Sequence, residues 1–394
     1  MLRIIFNIKI GENLMNLNYI VSRLLLLLFS VFPIKNNKII FCSYFGTKYA
    51  CNPRAISEYI VKKYPKLDIV WVLPSNVRAP KGTRIIHRRS LKYFYEFATA
   101  RIWIDNCRKP LWMRKRNGQF YVQTWHGGIS LKKVEAGAKK LPSHYIKSAK
   151  HDSQLADLFL SNSDWLSKEY RKYFFYNGKI LQYGLPREDK LLNSNKNYYH
   201  EKVCNYFNCP NNTKFLLYAP TFRDDGNISC YDMKYEKLIN SLNSMNENWK
   251  IIVRLHPNIT NKIKYLEFNN NILNGTLIDD INDLILGSDI VVSDYSSCMF
   301  DAAIAKKKTI IYASDIDKYS KDRGFMFDFD ELPFPLTKNT DELINCINNW
   351  NDTYYKINIQ KFLKACGFGY NKTSSKDVSE FLIKTIVNSI EREN

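Results

Sequence analysis

The chain has 394 residues, too long for one small core and suited to two domains of ordinary size. Hydrophobic residues make up 45%, as in a globular protein that buries a sizeable core. Lys and Arg number 58 against 38 Asp and Glu, and the net charge of +20 favours a polyanionic partner: nucleic acid, an anionic membrane or a phosphate-rich substrate. The nine cysteines form no C-x-x-C pair and no zinc-ligand spacing with His. Their odd number cannot pair fully within one chain, so reduced thiols in a cytoplasmic protein are expected.

The first feature in chain order is the apolar run from Tyr19 to Phe32. It is shorter than the ~20 residues a membrane span needs, and Arg23 interrupts it. Arg3 and Lys9 precede it, but no small-x-small cleavage pattern follows. The expectation is an interfacial or core-packed helix. Short apolar runs then predict strands at Lys38–Ser43, Asp68–Leu73, Arg101–Asp105, Phe120–Thr124, Asp157–Ser161 and Lys179–Tyr183. A second series follows at Lys214–Ala219, Trp249–Leu255, Asp289–Ser293 and Thr309–Ala313. Several are continuously apolar, as in strands covered by helices on both faces. Strands alternating with helices predict two doubly wound α/β domains facing a cleft at their strand ends. The expected division is a helical segment over 1–37, a domain over 38–192, a linker over 193–213, a second domain over 214–340 and helices over 341–394. No repeat of 20–50 residues occurs.

Four segments at predicted strand exits carry candidate chemistry. In Gln123-Thr124-Trp125-His126-Gly127-Gly128, a His arrives beside two glycines, which let backbone approach a ligand closely. His126 can accept a hydroxyl proton at neutral pH. Ser130, Leu131, Lys132 and Lys133 follow it and offer hydroxyl, amide and ammonium groups to phosphate. In Val253-Arg254-Leu255-His256-Pro257, Arg254 and His256 share one side by the two-residue period, and both can face an anion. Ser296 and Ser297, after Val291–Asp294 and before an apparent helix, suggest a diphosphate cradle. In the fourth segment, Tyr218–Asp224, Thr221 and Arg223 are candidate phosphate or ribose contacts. Each also has a bland reading: a structural turn histidine, solvated lysines, an N-cap at Ser296 or Asp294, and Arg223 paired with Asp224 or Asp225. Neither a Walker pattern nor G-x-G-x-x-G is present, which disfavours a P-loop kinase or a nicotinamide enzyme. The acidic pairs Asp315/Asp317 and Asp328/Asp330 are weak metal signals, so no metal and no cofactor are expected. A further stretch, Arg108 to Arg116 around Trp112, mixes cations with apolar residues and suggests contact with anionic lipid.

Taken together, TWHGG at Thr124–Gly128, YGLPRED at Tyr183–Asp189, YAPTFRDD at Tyr218–Asp225, RLHP at Arg254–Pro257, SDYSSCMFD at Ser293–Asp301 and RGFMFDF at Arg323–Phe329 resemble the CDP-glycerol glycerophosphotransferase family of teichoic-acid and capsule biosynthesis. The motifs stand in the family's order across about 120–330. The resemblance implies a GT-B-type fold and transfer of glycerol phosphate, or a related polyol phosphate, from CDP-glycerol with release of CMP. The acceptor would be a lipid-linked saccharide or a growing polyol-phosphate chain, and the enzyme would be peripheral on the cytoplasmic face of the bacterial membrane. By similarity His126 and His256 match catalytic positions. Arg254, Ser296, Ser297 and Asp301 match donor-site positions, with Thr221, Arg187 and the Ser130–Lys133 stretch beside them. Two departures stand out. Gly128 and Ile129 replace the family's usual Thr-Pro after His-Gly. The long N-terminal region of the larger polymerases is not seen, which points to a primase-like or capsule-type member. The alternatives are a capsule glycosyltransferase using a cytidine sugar such as CMP-sialic acid, and a non-catalytic polyanion-binding protein. Nucleic acid is not an expected partner.

Overall fold

The computed structural model describes residues 17–393 except 139–140, 194, 222, 224–230, 232, 245–246, 256–262, 264–265 and 323. Its strands are β1 Lys35–Cys42, β2 Asp68–Val72, β3 Thr83–Ile86, β4 Ala100–Asp105, β5 Phe120–Gln123, β6 Leu158–Leu160 and β7 Lys179–Leu181 in the first half. The second half holds β8 Lys214–Ala219, β9 Trp249–Val253, β10 Ile272–Asn274, β11 Ile290–Ser293, β12 Lys308–Tyr312 and β13 Leu336–Thr337. The sheet orders are β3-β2-β1-β4-β5-β6-β7 and β10-β9-β8-β11-β12-β13, and every paired neighbour is parallel. Both orders reverse direction beside their first strand, the doubly wound pattern that opens a crevice at the carboxyl ends. The chain is therefore a two-sheet α/β protein of GT-B type.

Continuously apolar strands form the centre of each sheet. Ile39, Ile40 and Phe41 of β1, and Ile251, Ile252 and Val253 of β9, are all buried. Sequence periodicity misses β3, β10 and β13 for a physical reason. They are short strands toward the sheet margins, and β3 shows solvent two of its four side chains.

Two expected boundaries change. The supposed linker is mostly the helix Lys196–Phe207, and its Val203 and Cys204 are buried in the second half's core. Its Asn-, Lys- and Tyr-rich composition conceals that packed stripe. The tail also divides. The helix Asp352–Ala365 puts Tyr355, Ile359, Phe362 and Leu363 into the second core. The helix Ser374–Glu393 returns to the first half, where Val378 and Leu382 join the core and Tyr59 donates to Glu380. Asp189 accepts from the backbone N–H groups of Ser374 and Ser375 at 2.9 and 2.8 Å, fixing where this last helix starts.

The apolar N-terminal run forms a helix over 17–29. One stripe packs inward through Leu26, with Leu25 and Phe29 beside it. Leu17, Ile20, Leu24, Leu27 and Leu28 face solvent. Among the described residues no helix is long and apolar enough to cross a membrane.

Most of the basic stretch from Arg108 to Arg116 turns inward rather than outward as expected, although Arg114 is exposed. Arg108 is buried and paired with Glu135 at 2.7 Å and Asp152 at 3.0 Å. Lys109 is paired with Asp105, Lys115 with Asp157, and Arg116 donates to the Phe32 and Ala98 carbonyls. Trp112 packs on Phe94. The carboxylates that draw these cations inward lie 4 to 44 residues away in sequence, so the run by itself looks like an exposed basic loop.

Candidate active site in the interdomain cleft

β5 ends at Gln123, and the chain turns sharply. Trp125 takes a φ of 53°, a left-handed conformation that is uncommon for a bulky residue. Several bonds hold it there. The Trp125 N–H donates to Gln123 Oε1 at 2.9 Å, and the Asn52 amide donates to the Thr124 and Trp125 carbonyls at 3.1 Å each. Arg108 lies 5.4 Å from the Trp125 ring. This turn aims His126 into the cleft.

The His126 Nδ1 lies 2.9 Å from the Asn106 carbonyl oxygen. A carbonyl only accepts, so Nδ1 carries the proton and Nε2 keeps its lone pair. Burial lowers the His126 pKa to about 4, assisted by the positive field of Arg187, Lys132 and Arg108 against the opposing carbonyl bond. The ring is therefore neutral at physiological pH, with Nε2 available as a base.

The loop after His126 belongs structurally to both halves. Ile129 and Leu131 are buried in the second half's core. Met326 N–H donates to the Leu131 carbonyl at 2.7 Å, and Lys133 N–H donates to the Gly324 carbonyl at 3.1 Å. An antiparallel bridge joins Lys132 to Phe325 between them. Leu131 is thus a core plug whose side chain cannot meet substrate, and Leu131 and Lys133 contribute backbone to docking. The unusual Ile129 serves the same packing.

A cavity of about 140 Å³ unites six of the expected residues: His126, Ser130, Lys132, Thr221, Ser296 and Ser297. The two halves meet closely here, since a Cβ added at Gly127 would stand 3.4 Å from Ser297 Oγ. Ser296 Oγ accepts from the Cys298 N–H at 3.3 Å, whereas Ser297 makes no side-chain cap for the helix Cys298–Ile304. The Thr221 backbone N–H and hydroxyl both donate to Asp294 Oδ1.

Three expected substrate contacts are committed elsewhere. Arg187 is buried and donates to Asp301 Oδ2 at 2.6 Å, Asn282 Oδ1 at 3.1 Å and the His126 carbonyl at 3.2 Å. Arg187 and Asp301 therefore lock the halves together and position His126. Arg223 is clamped by Asp315 at 2.6 Å and Asp294 at 2.9 Å and lies over the Tyr295 ring, while Asp224 and Asp225 lie outside the described residues. Asp315 is thereby removed from the supposed acidic pair, while Asp328 caps a short 3-10 turn at Phe329–Glu331. Among the described residues no three His, Cys, Asp or Glu side chains gather as a metal site requires.

Arg254 behaves differently. Its Nη2 donates to the Ile278 carbonyl at 3.1 Å, its buried Nε has no partner among the described residues, and burial lowers its pKa. Lys48 of the first half has its pKa lowered by burial and then by the Arg254 charge. These two cations from opposite halves lie near each other, with Asp279 and Asp280 beside them. His256 lies outside the described residues.

Sequence reasoning missed three groups. Lys48 carries no motif signal. Glu169, on the helix Asp164–Tyr173, lines the cavity with a buried Oε2 that has no partner among the described residues and a pKa raised by burial. Glu188 is buried, accepts from Asn162 at 2.8 Å, and has its pKa raised to about 8 by burial and the nearby Asp301 charge. Glu188 stands in the Tyr183–Asp189 motif, and that was its one signal.

Comparison with known proteins now bears on this geometry. The model of the family described as CDP-glycerol:poly(glycerophosphate) glycerophosphotransferase matches residues 24–388. The chain belongs to this family. It is 31% identical over 375 residues to the teichoic acid poly(glycerol phosphate) polymerase of Bacillus subtilis (strain 168), covering 90% of this chain and 50% of that protein. It is 31% identical over 368 residues to the teichoic acid glycerol-phosphate transferase of Staphylococcus aureus, covering 89% of this chain and 93% of that one. The chain thus spans about half of the former relative and nearly all of the latter. A solved structure of the wall teichoic acid polymerase TagF superposes with a TM-score of 0.84 at 27% identity, over 97% of this chain and 99% of that one.

Proposed function

We propose that this protein transfers glycerol phosphate, or a related polyol phosphate, from a CDP-polyol to a hydroxyl of a lipid-linked saccharide or growing polyol-phosphate chain, releasing CMP. The observation that carries this reading is His126. It is a neutral imidazole with Nδ1 tied to a carbonyl, and it lines a cavity together with the hydroxyl residues Thr221, Ser296 and Ser297 of the opposite half. A TagF structure soaked with CDPG supports the donor class.

In the proposed reaction Nε2 takes the acceptor O–H proton as that oxygen attacks the β-phosphorus. The bond to the CMP oxygen breaks, and CMP leaves with the electron pair. Arg254 and Lys48 supply positive charge for the diphosphate, and Ser296 and Ser297 supply hydroxyl donors. His256, two residues after Arg254, is assigned to the departing phosphate. Family membership favours this chemistry over cytidine-sugar transfer.

We also place the enzyme at the cytoplasmic face of the bacterial membrane as a peripheral protein. The exposed apolar row Leu17, Ile20, Leu24, Leu27 and Leu28 supports that reading, together with the net charge of +20.

The test is CMP release from CDP-glycerol, CDP-ribitol and CMP-sialic acid with lipid-linked saccharide acceptors, followed by product sizing. A CDP-polyol should be consumed and His126→Ala should abolish turnover. Release from CMP-sialic acid alone, or undiminished turnover in His126→Ala, would sink the proposal.

A further inference from the structure

A second, larger cavity of about 410 Å³ lies on the second half, away from His126. Its wall includes Phe334 and Pro335, just before β13. Lys308, the first residue of β12, has its ammonium 5.9 Å from the Trp350 ring of the same wall. Both mark the amino-terminal edge of the parallel sheet, whereas the transfer cleft lies at the carboxyl ends. The five residues of β12 separate the two edges by roughly 16 Å.

The wall has a definite chemistry. Trp350, Tyr354 and Tyr355 supply aromatic surface, and Asn345, Asn349 and Asn358 supply amides. None of the lining residues is a Lys, Arg, Asp or Glu. The lining itself supplies no charge to neutralise a diphosphate. It suits a polyhydroxylated neutral ligand, whose C–H faces lie on rings and whose hydroxyls need both donors and acceptors. Asn349 Nδ2 donates to Asn345 Oδ1 at 2.8 Å. That bond leaves an amide oxygen on Asn349 and an NH2 group on Asn345 for a ligand.

The rings are held in place before any ligand arrives. The Tyr355 hydroxyl donates to the Lys307 carbonyl at 2.7 Å, and Trp350 Nε1 donates to Asp352 at 2.8 Å. Trp350 and Tyr355 pack with centroids 4.7 Å apart. Asn351 accepts from the Tyr354 N–H at 2.9 Å and caps the helix that carries Tyr354. A wall already ordered loses little entropy on binding. Its volume falls within the range of about 300–1,000 Å³ typical of small-ligand sites.

We infer that this cavity, formed by Trp350, Tyr354 and the Asn345, Asn349 and Asn358 amides, is a binding site for a neutral saccharide, separate from the transfer cleft. Its role is to hold a glycan rather than to react with it, because no nucleophile or base of the cleft reaches this edge. That role rests on the saccharide acceptor proposed above; the binding itself does not.

The experiment is calorimetric titration of the full chain with N,N′-diacetylchitobiose as neutral probe and a glycerol-phosphate oligomer as anionic probe. Tyr354→Ala removes an exposed ring, and Trp350→Phe keeps an aromatic group at the packed position. Saturable disaccharide binding is expected, weakened roughly fivefold or more by Tyr354→Ala and unchanged by His126→Ala. Absence of disaccharide binding to the wild-type chain overturns the inference. So does undiminished affinity in both ring variants, or a site that takes the phosphate oligomer and not the sugar. CMP release from CDP-glycerol, followed in parallel, reports on the transfer alone, so the two proposals fail separately.

Discussion

Arg187 Nη2 stands 2.6 Å from Asp301 Oδ2, joining the end of the first half to the helix Cys298–Ile304 of the second. Both side chains are nearly sealed from solvent, and the same guanidinium donates to the His126 carbonyl. A pair of this kind is worth most as a locator, since ion-pair burial is offset by desolvation. Removing one member leaves the other buried and charged. Asp301→Asn should therefore destabilise the protein by about 3–5 kcal/mol, read as a fall in Cm on urea unfolding. Replacing both by apolar residues should cost less than either single change. Additive losses in that double-mutant cycle would contradict the coupling.

The protonation of His126 sets the acid side of activity. Its folded pKa of about 4 lies below the ordinary value of about 6.5, from burial first and from Arg187, Lys132 and Arg108 next. Nε2 thus stays unprotonated until pH falls toward 4, and the acid limb of kcat/KM should sit there. An unfolded histidine takes up its proton below about 6.5. Stability from this group is accordingly complete above 6.5 and declines as pH falls to about 4, by roughly 1.4 kcal/mol per pH unit. A kcat/KM profile whose acid limb lies near 6.5, and is lost in no His126 variant, would contradict the assignment.

Glu188 has the opposite sign. Burial and the Asp301 charge raise its pKa to about 8, so the folded protein holds a neutral carboxyl at pH 7. The unfolded carboxyl ionises above about 4.3, and the folded one retains its proton, so stability from this group falls as pH rises through that window. Glu188→Gln preserves the oxygen that accepts from Asn162. The variant should gain in melting temperature relative to wild type progressively between pH 6 and 8. A difference that stays flat with pH would contradict the raised pKa.

Gly128 is demanded by space rather than by backbone angle. A Cβ there would lie 2.6 Å from Asn162 Nδ2 and 3.1 Å from Glu188 Oε1. Those two side chains are buried and bonded to each other, so neither can retreat cheaply. Gly128→Ala should destabilise by about 1–3 kcal/mol and displace His126, lowering kcat more than stability alone would explain. Thermal melting together with kcat on the purified variant measures both, and an unchanged kcat would contradict the displacement.

The N-terminal helix predicts membrane attachment through its apolar row and not through the stretch from Arg108 to Arg116. Leu24→Glu with Leu28→Glu alters two side chains that are 60% and 61% exposed, so folding should be untouched. Sedimentation with anionic liposomes should fall about tenfold or more. Equal sedimentation of the variant would count against this face.

The sequence alone determined the central strands of both sheets, because continuous apolar runs such as Ile39–Phe41 and Ile251–Val253 admit few other readings. It also determined the position of His126 at a strand exit, since Gly127 and Gly128 advertise close backbone approach. Motif order sufficed for the family. Tertiary structure alone decided which charges are free. Arg187, Arg223 and Arg254 look alike in sequence, yet the first two meet aspartates from distant segments, whereas Arg254, among the described residues, hydrogen-bonds to carbonyls. It also decided that Leu131 is a core plug and that Glu169 lines the cavity. The physical reason is common to all of these. Local patterning records which face of an element is buried, whereas the partner of a charge is set by groups brought together from across the chain.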